Sequence, residues 1–139
     1  MTRTLDKKLI QYMNLFEKNT GVRAIHCFNY NSSLIFVIHP KYLTKAIGEN
    51  GANVRKLCSM VRKKIKIVAE PEGINSLEEF VSAIVFPIQI KKIEIIGDEV
   101  VISASPQYKA ALIGKGKFRF EELQKIIYEY FNFKKLKIV

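Results

Sequence analysis

Apolar residues in the first forty positions follow first a helical and then an extended pattern. Five of them recur at helical spacing near the start of the chain: Leu5, Leu9, Tyr12, Met13 and Phe16. This spacing predicts a helix with Thr4 as its N-cap and Gly21 as its end. The stretches Val22–Tyr30 and Leu34–Ile38 are rich in β-branched and aromatic residues, which predicts two strands joined by a turn across residues 29–32.

The pattern then returns to helical spacing on both sides of a glycine turn. Pro40 suits the first turn of a short helix that ends at Ile47. After the turn, four side chains form the buried stripe of a second helix: Val54, Leu57, Cys58 and Val61. Lys64–Val68 predicts a further strand, so the first unit has the order helix, strand, strand, helix, turn, helix, strand.

The second half of the chain begins at the break formed by residues 71–73. Ser76 followed by Glu79 predicts a capping box. The helix after it has an apolar face and ends at Pro87; its face consists of Leu77, Phe80, Val81, Ile84 and Val85.

The remaining elements of the second half follow the order of the first. Strands are predicted at Ile88–Ile96 and Val100–Ser103, on either side of Gly97-Asp98. A short helix leads to Gly114, and a strand at Leu136–Val139 closes the chain. Between them lies a longer helix with an apolar stripe of Phe120, Leu123, Ile127 and Tyr130.

A repeat in the sequence supports this duplication. Residues 40–48 and 106–114 share Pro, Tyr, Ile and Gly at one offset, because 106−40, 108−42, 113−47 and 114−48 all equal 66. Self-similarity at a fixed offset indicates a tandem structural module. We therefore predict two units, residues 1–71 and 72–139, which share an interface because units of this size are small for independent folding.

The charge of the chain is concentrated in its first half. The net charge is +10; residues 1–70 hold 13 Lys and Arg against 4 Asp and Glu (+9), and residues 71–139 hold 10 against 9 (+1). A basic surface is typical of proteins that bind nucleic acid or an acidic membrane. A lysine-rich genome composition would also explain many of the lysines, but it would not explain the difference in net charge between the two halves of the chain.

Other classes of chemistry have little support in the sequence. Cys27 and Cys58 lack the CxxC spacing and lie in apolar patterns, so we expect reduced packing residues, and His26 and His39 lack zinc-ligand spacing. The sequence shows neither the paired carboxylates nor the nucleophile–base pattern that would indicate an enzyme. We also expect no metal and no cofactor. The absence of a long apolar run or an apolar signal core predicts a cytoplasmic protein without a membrane association.

The candidate chemistry lies in the turn Gly48-Glu49-Asn50-Gly51. Glycine lacks a Cβ, so the main chain here can approach a sugar-phosphate backbone closely. The helix that starts after the turn adds N–H groups and the positive end of its dipole. The alternative is that Gly48 and Gly51 only end one helix and restart the next.

This turn between two short helices resembles the GXXG loop of KH domains, and the first helix before both strands resembles the type II arrangement. The tandem units, with the motif at residues 46–57 in the first unit, are similar to archaeal NusA-like proteins, which are short relatives of the transcription factor NusA. This resemblance covers essentially the whole chain. The resemblance implies an α/β (α+β) fold of two tandem type II KH-like domains, each a three-stranded mixed sheet packed on helices. It also implies a clamp for about four single-stranded nucleotides.

The resemblance assigns RNA-binding roles in the first unit. Lys45, Arg55 and Lys56 would attract phosphate, and Ile47 and Val54 would line the floor under the bases. The polar residues Asn50 and Asn53 would hydrogen-bond backbone or base edges, close to the glycines of the loop. Glu49 departs from the usual pattern, in which one middle position is a cation, and its charge would repel phosphate.

The second copy departs further from that pattern. Aligned from Gly114, its fourth position is Lys117, and we expect a Cβ there to obstruct close approach of RNA. Lys115, Lys117 and Arg119 keep the turn basic, and Gly116 lies between the lysines, so these residues form a weaker candidate site. The alternatives are that the second copy extends an RNA path electrostatically or serves chiefly as a packing partner. The spacing of a nucleotide phosphate loop, GxxxxGK[ST], is absent.

The resemblance thus implies a non-enzymatic, single-stranded RNA-binding protein in transcription elongation, termination or antitermination, with RNA polymerase as a second partner. We expect a monomer. Two alternatives stay open: an interaction adaptor that docks on polymerase or ribosomal components, and an RNA-binding protein associated with the ribosome.

Overall fold

The computed structural model describes residues 7–139, so the predicted N-cap Thr4 and the first apolar position Leu5 lie outside the described residues. The chain divides into two compact units, Met1–Glu70 and Pro71–Val139. Each unit contains a three-stranded mixed sheet with helices packed on it, which confirms the predicted α+β fold class and is consistent with a two-domain KH-like fold.

The first unit contains three helices and three strands in the predicted order. They are α1 (described over Lys7–Thr20), β1 (His26–Tyr30), β2 (Ser33–Ile38), α2 (Leu43–Ile47), α3 (Ala52–Val61) and β3 (Lys64–Ala69). A short 3-10 turn, Pro40–Tyr42, leads into α2. Gly21 ends α1 as predicted: its φ is +71°, and its N–H donates to the carbonyl of Glu17 at 2.8 Å.

The sheet of the first unit has the order β1-β2-β3, with β1 antiparallel and β3 parallel to β2. Asn31 and Ser32 form the connecting turn with φ of 51° and 61°. Two successive positive φ values give the backbone twist that joins antiparallel strands tightly. The central strand β2 is buried along its whole length.

The first strand begins four residues later than predicted. The hydroxyl of Thr20 donates to the carbonyl of Phe16 at 2.8 Å and accepts the N–H of Val22 at 3.0 Å. These bonds hold the chain in the turn that ends α1, so Val22 and Ala24 are buried without forming strand pairs.

The helices of the first unit cover one face of their sheet. The rings of Phe16 on α1 and Phe36 on β2 stack with centroids 4.5 Å apart, and Leu57 of α3 is fully buried in the same cluster. Cys27 also lies in this cluster, and burial raises the pKa of its thiol to about 12 against the opposing charge of Lys63. Both cysteines are free thiols, as expected, with Cys58 partly buried.

The second unit repeats this order of elements. It contains α4 (Leu77–Val85), β4 (Lys92–Ile96), β5 (Glu99–Ser103), α5 (Pro106–Ile113), α6 (Phe118–Phe131) and β6 (Lys135–Ile138). In its sheet β5 is central, with β4 antiparallel and β6 parallel to it. All five residues of the predicted apolar face of α4 are buried.

Two local predictions for the second unit are wrong. Ser76 occupies the N-cap position of α4, but the capping box does not form, because its hydroxyl accepts the N–H of Glu72 at 3.2 Å and bonds no N–H of the helix. The strand predicted at Ile88–Ile96 forms pairs only from Lys92, since its partner β5 ends at Ser103.

The packing of α3 predicts a large difference between two of its apolar residues. Leu57 is fully buried, whereas Met60 is 48% exposed. We expect Leu57→Ala to lower the free energy of unfolding by about 2–5 kcal/mol, because truncation leaves a cavity in the core. Met60→Ala, the control on the same helix, should stay within about 0.5 kcal/mol. Urea unfolding followed by circular dichroism measures both; equal effects would contradict this packing.

Candidate functional site

The glycine turn of the first unit is built around an unusual backbone conformation at Gly48. This residue ends α2 with φ 82° and ψ 167°, a combination that is essentially restricted to glycine. A Cβ at Gly48 would lie 3.0 Å from the backbone nitrogen of Asn53. Gly48 therefore allows α3 to fold back closely against the end of α2.

The last two residues of the glycine turn have left-handed backbone conformations. Asn50 has φ 54° and ψ 30°, and Gly51 has φ 73° and ψ 22°. Asparagine is one of the few residues with a side chain that enter this region readily. A Cβ at Gly51 would meet only the flexible end of Arg55, at 3.5 Å. Space around Gly51 is therefore open, in contrast to Gly48.

Two predicted binding residues also hold the loop together. The side-chain amide of Asn53 donates to the carbonyl of Lys45 at 3.2 Å, which ties the first turn of α3 to the last turn of α2. The guanidinium of Arg55 donates to the carbonyl of Asn50. The charge of Arg55 therefore lies directly over the loop, while part of its hydrogen-bonding capacity is used within the protein.

The surface of this turn combines exposed charge with partly buried apolar side chains. Exposed positions are Lys45, Glu49, Asn50, Arg55 and Lys56. Ile47 and Val54 are partly buried, and Val54 packs against the core of the unit. Both α2 and α3 lie against β3. Residues 45–56 thus carry three cations and one carboxylate beside a shallow apolar floor.

The second loop has the same backbone conformation with a different sequence. Gly114 has φ 73° and ψ 171°, matching Gly48, and Gly116 and Lys117 are both left-handed, at φ 63° with ψ of 22° and 21°. The fourth position thus keeps its conformation although it carries a side chain there. The lost glycine is offset by Gly116 at the third position, where the first loop has Asn50.

Arg119 occupies the position beneath the second loop that Asn53 occupies beneath the first. A Cβ at Gly114 would lie 2.7 Å from Cγ of Arg119. The guanidinium of Arg119 forms an ion pair with Glu122 at 3.1 Å. These contacts indicate a structural role for Arg119, and Glu122 partly balances its charge. Lys115 and Lys117, in contrast, are exposed at the loop.

One exposed residue at this loop has no predicted role. Phe118, the first residue of α6, is 66% exposed. Its counterpart at the offset of 66 is Ala52, so the alignment of the two copies was the signal that could have distinguished it.

Two negative findings apply to the part of the chain that the structure describes. Within residues 7–139, no group of three or more His, Cys, Asp or Glu side chains is placed to hold a metal ion. Over the same residues, no helix has the length and apolar content needed to cross a membrane.

The fold and its two glycine turns can be compared with known proteins. No family model matches the chain. The chain is 30% identical over 118 residues to the "Probable transcription termination protein NusA" of Methanococcus vannielii; the match covers 81% of this chain and 66% of that protein, so the chain spans just under two thirds of the relative's length. This similarity supports a place in the NusA-like family.

A solved structure extends the comparison of the fold. The crystal structure of APE1850 matches with a TM-score of 0.65 and 26% sequence identity, over 97% of this chain and 100% of that chain. Nearly the whole chain thus has a structural counterpart in a solved protein.

The two glycines of the first loop should differ in their tolerance of a side chain. We expect Gly48→Ala to lower the free energy of unfolding by about 2–3 kcal/mol, because its conformation is closed to alanine and its Cβ meets Asn53. Gly51→Ala should cost only about 1 kcal/mol, the strain of a left-handed residue in open space. Urea unfolding of both variants tests this; a cost at Gly51 equal to that at Gly48 would contradict the assignment.

Proposed function

We propose that this chain is a NusA-like, single-stranded RNA-binding protein that acts in transcription elongation, termination or antitermination, close to RNA polymerase in the cytoplasm. The observation that carries the proposal is the first glycine turn, in which an essentially glycine-only backbone conformation lies beside exposed cations. The similarity to the archaeal protein described above as a probable transcription termination protein supports the transcriptional context.

Binding at the first loop would begin with the phosphate backbone. The turn presents main chain without a side chain at Gly48 and Gly51, so a phosphodiester can approach the first N–H groups of α3. Lys45 and Lys56 are exposed on the helices at either side, and Arg55 lies over the loop itself. These cations supply attraction that does not depend on sequence.

Bases would then lie over the partly buried side chains beside the loop. Ile47 and Val54 are positioned at the end of α2 and the start of α3, next to β3. Unpaired bases can occupy such a floor because their edges and faces are free, whereas paired bases in a duplex cannot. This favours single-stranded RNA as the ligand.

Glu49 would limit the affinity of this site. Its carboxylate is exposed at the second position of the loop, where it repels phosphate. We therefore expect modest, strongly salt-dependent binding, with log K falling by about 0.7 per phosphate contact for each unit of log salt concentration. The proposed role is binding only, without catalysis, metal or cofactor.

A second candidate function is a protein-interaction adaptor, and one observation favours it. Strand β4 is an edge of its sheet, and it exposes Ile95 by 40% and Ile96 by 59%. Exposed apolar side chains on an edge strand are a common feature of protein contacts. In this case the polymerase or a ribosomal component would be the direct partner.

A charge inserted into the first loop tests the RNA-binding proposal. Gly51→Asp should weaken binding of a single-stranded oligonucleotide at least tenfold, about 1.4 kcal/mol, because it adds a carboxylate where phosphate must approach. The matched control is Gly97→Asp, which places the same residue at a left-handed position, φ 64°, in open space on a hairpin of the second unit. Filter binding across a salt series measures both variants.

Two outcomes of the binding experiment, together with a separate pull-down, decide between the candidates. Loss of affinity in Gly51→Asp alone supports the RNA clamp. Absence of binding by the wild type at low salt, or no effect of Gly51→Asp, would exclude it. A polymerase pull-down that survives nuclease treatment and substitution of both Gly48 and Gly51 would then favour the adaptor.

A further inference from the structure

The second loop carries an exposed aromatic ring directly after two exposed cations. Phe118 is 66% exposed, and Lys115 and Lys117 precede it in the turn and are also exposed. Three other phenylalanines are buried in the cores of the units: Phe16, Phe36 and Phe80. The side chain of Phe118 therefore contributes little to the packing of the fold.

The loop that precedes this ring carries charges of one sign, and Glu121 follows the ring one turn further along α6. Residues 114–118 contain two lysines and no acidic residue. The nearest following charge, Arg119, is turned to its ion pair with Glu122 at 3.1 Å and to the underside of Gly114. The loop therefore presents the cations of Lys115 and Lys117 together with the ring of Phe118 on one exposed segment.

We propose that this segment is a second single-stranded nucleic-acid site, in which the ring of Phe118 stacks on a base and Lys115 and Lys117 contact the adjoining phosphates. The inference rests on the proposed RNA-binding function and assigns a specific role to the second unit. The proposed site depends on the side chains of Lys115, Lys117 and Phe118 and not on the N-terminus of α6. The first loop also precedes a helix N-terminus, but it has Ala52 where the second has the ring of Phe118.

Nucleic acid fits this segment better than an acidic protein surface. A stretch of single strand offers both components in alternation, a flat apolar base and an anionic phosphate, which matches a ring placed beside two lysines. An acidic peptide satisfies the lysines but provides no flat partner for the ring. Because every base has an aromatic face, the site adds affinity without selecting a sequence.

The chain contains no tryptophan, so a substitution at this position can report stacking directly. We expect Phe118→Trp to bind a 12-nucleotide oligouridine at least as tightly as the wild type, with its fluorescence quenched as RNA is added. Phe118→Ala should bind the same oligonucleotide about tenfold more weakly, as measured by fluorescence anisotropy of labelled RNA.

Two controls match these variants within the same unit. Phe86 is 68% exposed, so Phe86→Trp and Phe86→Ala make the same changes on an equally exposed ring, and neither should respond to RNA. Lys115→Gln with Lys117→Gln should weaken binding and reduce its salt dependence. Lys134→Gln with Lys137→Gln removes the same charge from exposed positions in or beside β6 and should have little effect.

The outcomes separate this inference from the function on which it rests. If Gly51→Asp weakens binding but Phe118→Ala does not, and the tryptophan fluorescence of the Phe118→Trp variant is unchanged by RNA, the second site is refuted and the first loop stands. If the wild type binds no oligonucleotide at low salt, both are refuted. If Phe118→Ala loses binding to polyglutamate while its RNA binding is unchanged, the segment belongs to an acidic protein partner and the proposal is overturned.

Discussion

The reversal of the chain between α2 and α3 depends on one glycine that cannot carry a side chain, and the same holds between α5 and α6. Gly48 and Gly114 adopt a positive φ with extended ψ, and a Cβ on either would lie 3.0 Å or less from an atom of the residue five positions later. The close approach of the paired helices, and hence the exposed loop at their junction, follows from this constraint. The loop in each unit is therefore a direct consequence of how the fold reverses the chain.

The two loops keep one backbone and differ in chemistry. Each needs two successive left-handed residues, and each supplies one glycine for them, at the fourth position in the first copy and at the third in the second. This exchange frees Lys117 to carry a charge at a position where the first loop has only backbone. The first loop thus combines main chain with flanking cations and one opposing carboxylate, whereas the second combines cations with an aromatic ring.

Much of this architecture could be predicted from the sequence, because the periodicity of buried residues is a local signal. The apolar face of α4 was predicted residue by residue, and the offset of 66 gave the repeated order of elements. The ends of elements are predicted less accurately where a side-chain hydroxyl bonds the nearby backbone: the Thr20 hydroxyl accepts the N–H of Val22 ahead of β1, and the Ser76 hydroxyl accepts the N–H of Glu72 instead of capping α4. The structural roles of Asn53 and Arg119 depend on loop geometry that spacing alone does not contain.

We propose that both glycine turns bind single-stranded nucleic acid. This proposal is tested most directly by ultraviolet crosslinking of RNA to the protein in cells, with the crosslinked peptides and nucleotides mapped by mass spectrometry. We expect crosslinks within residues 45–56 and 115–119, and transcripts of many genes among the RNA recovered. Crosslinks confined to other parts of the chain, or none above background, would contradict it, and ribosomal RNA alone would place the same binding sites in a ribosomal role.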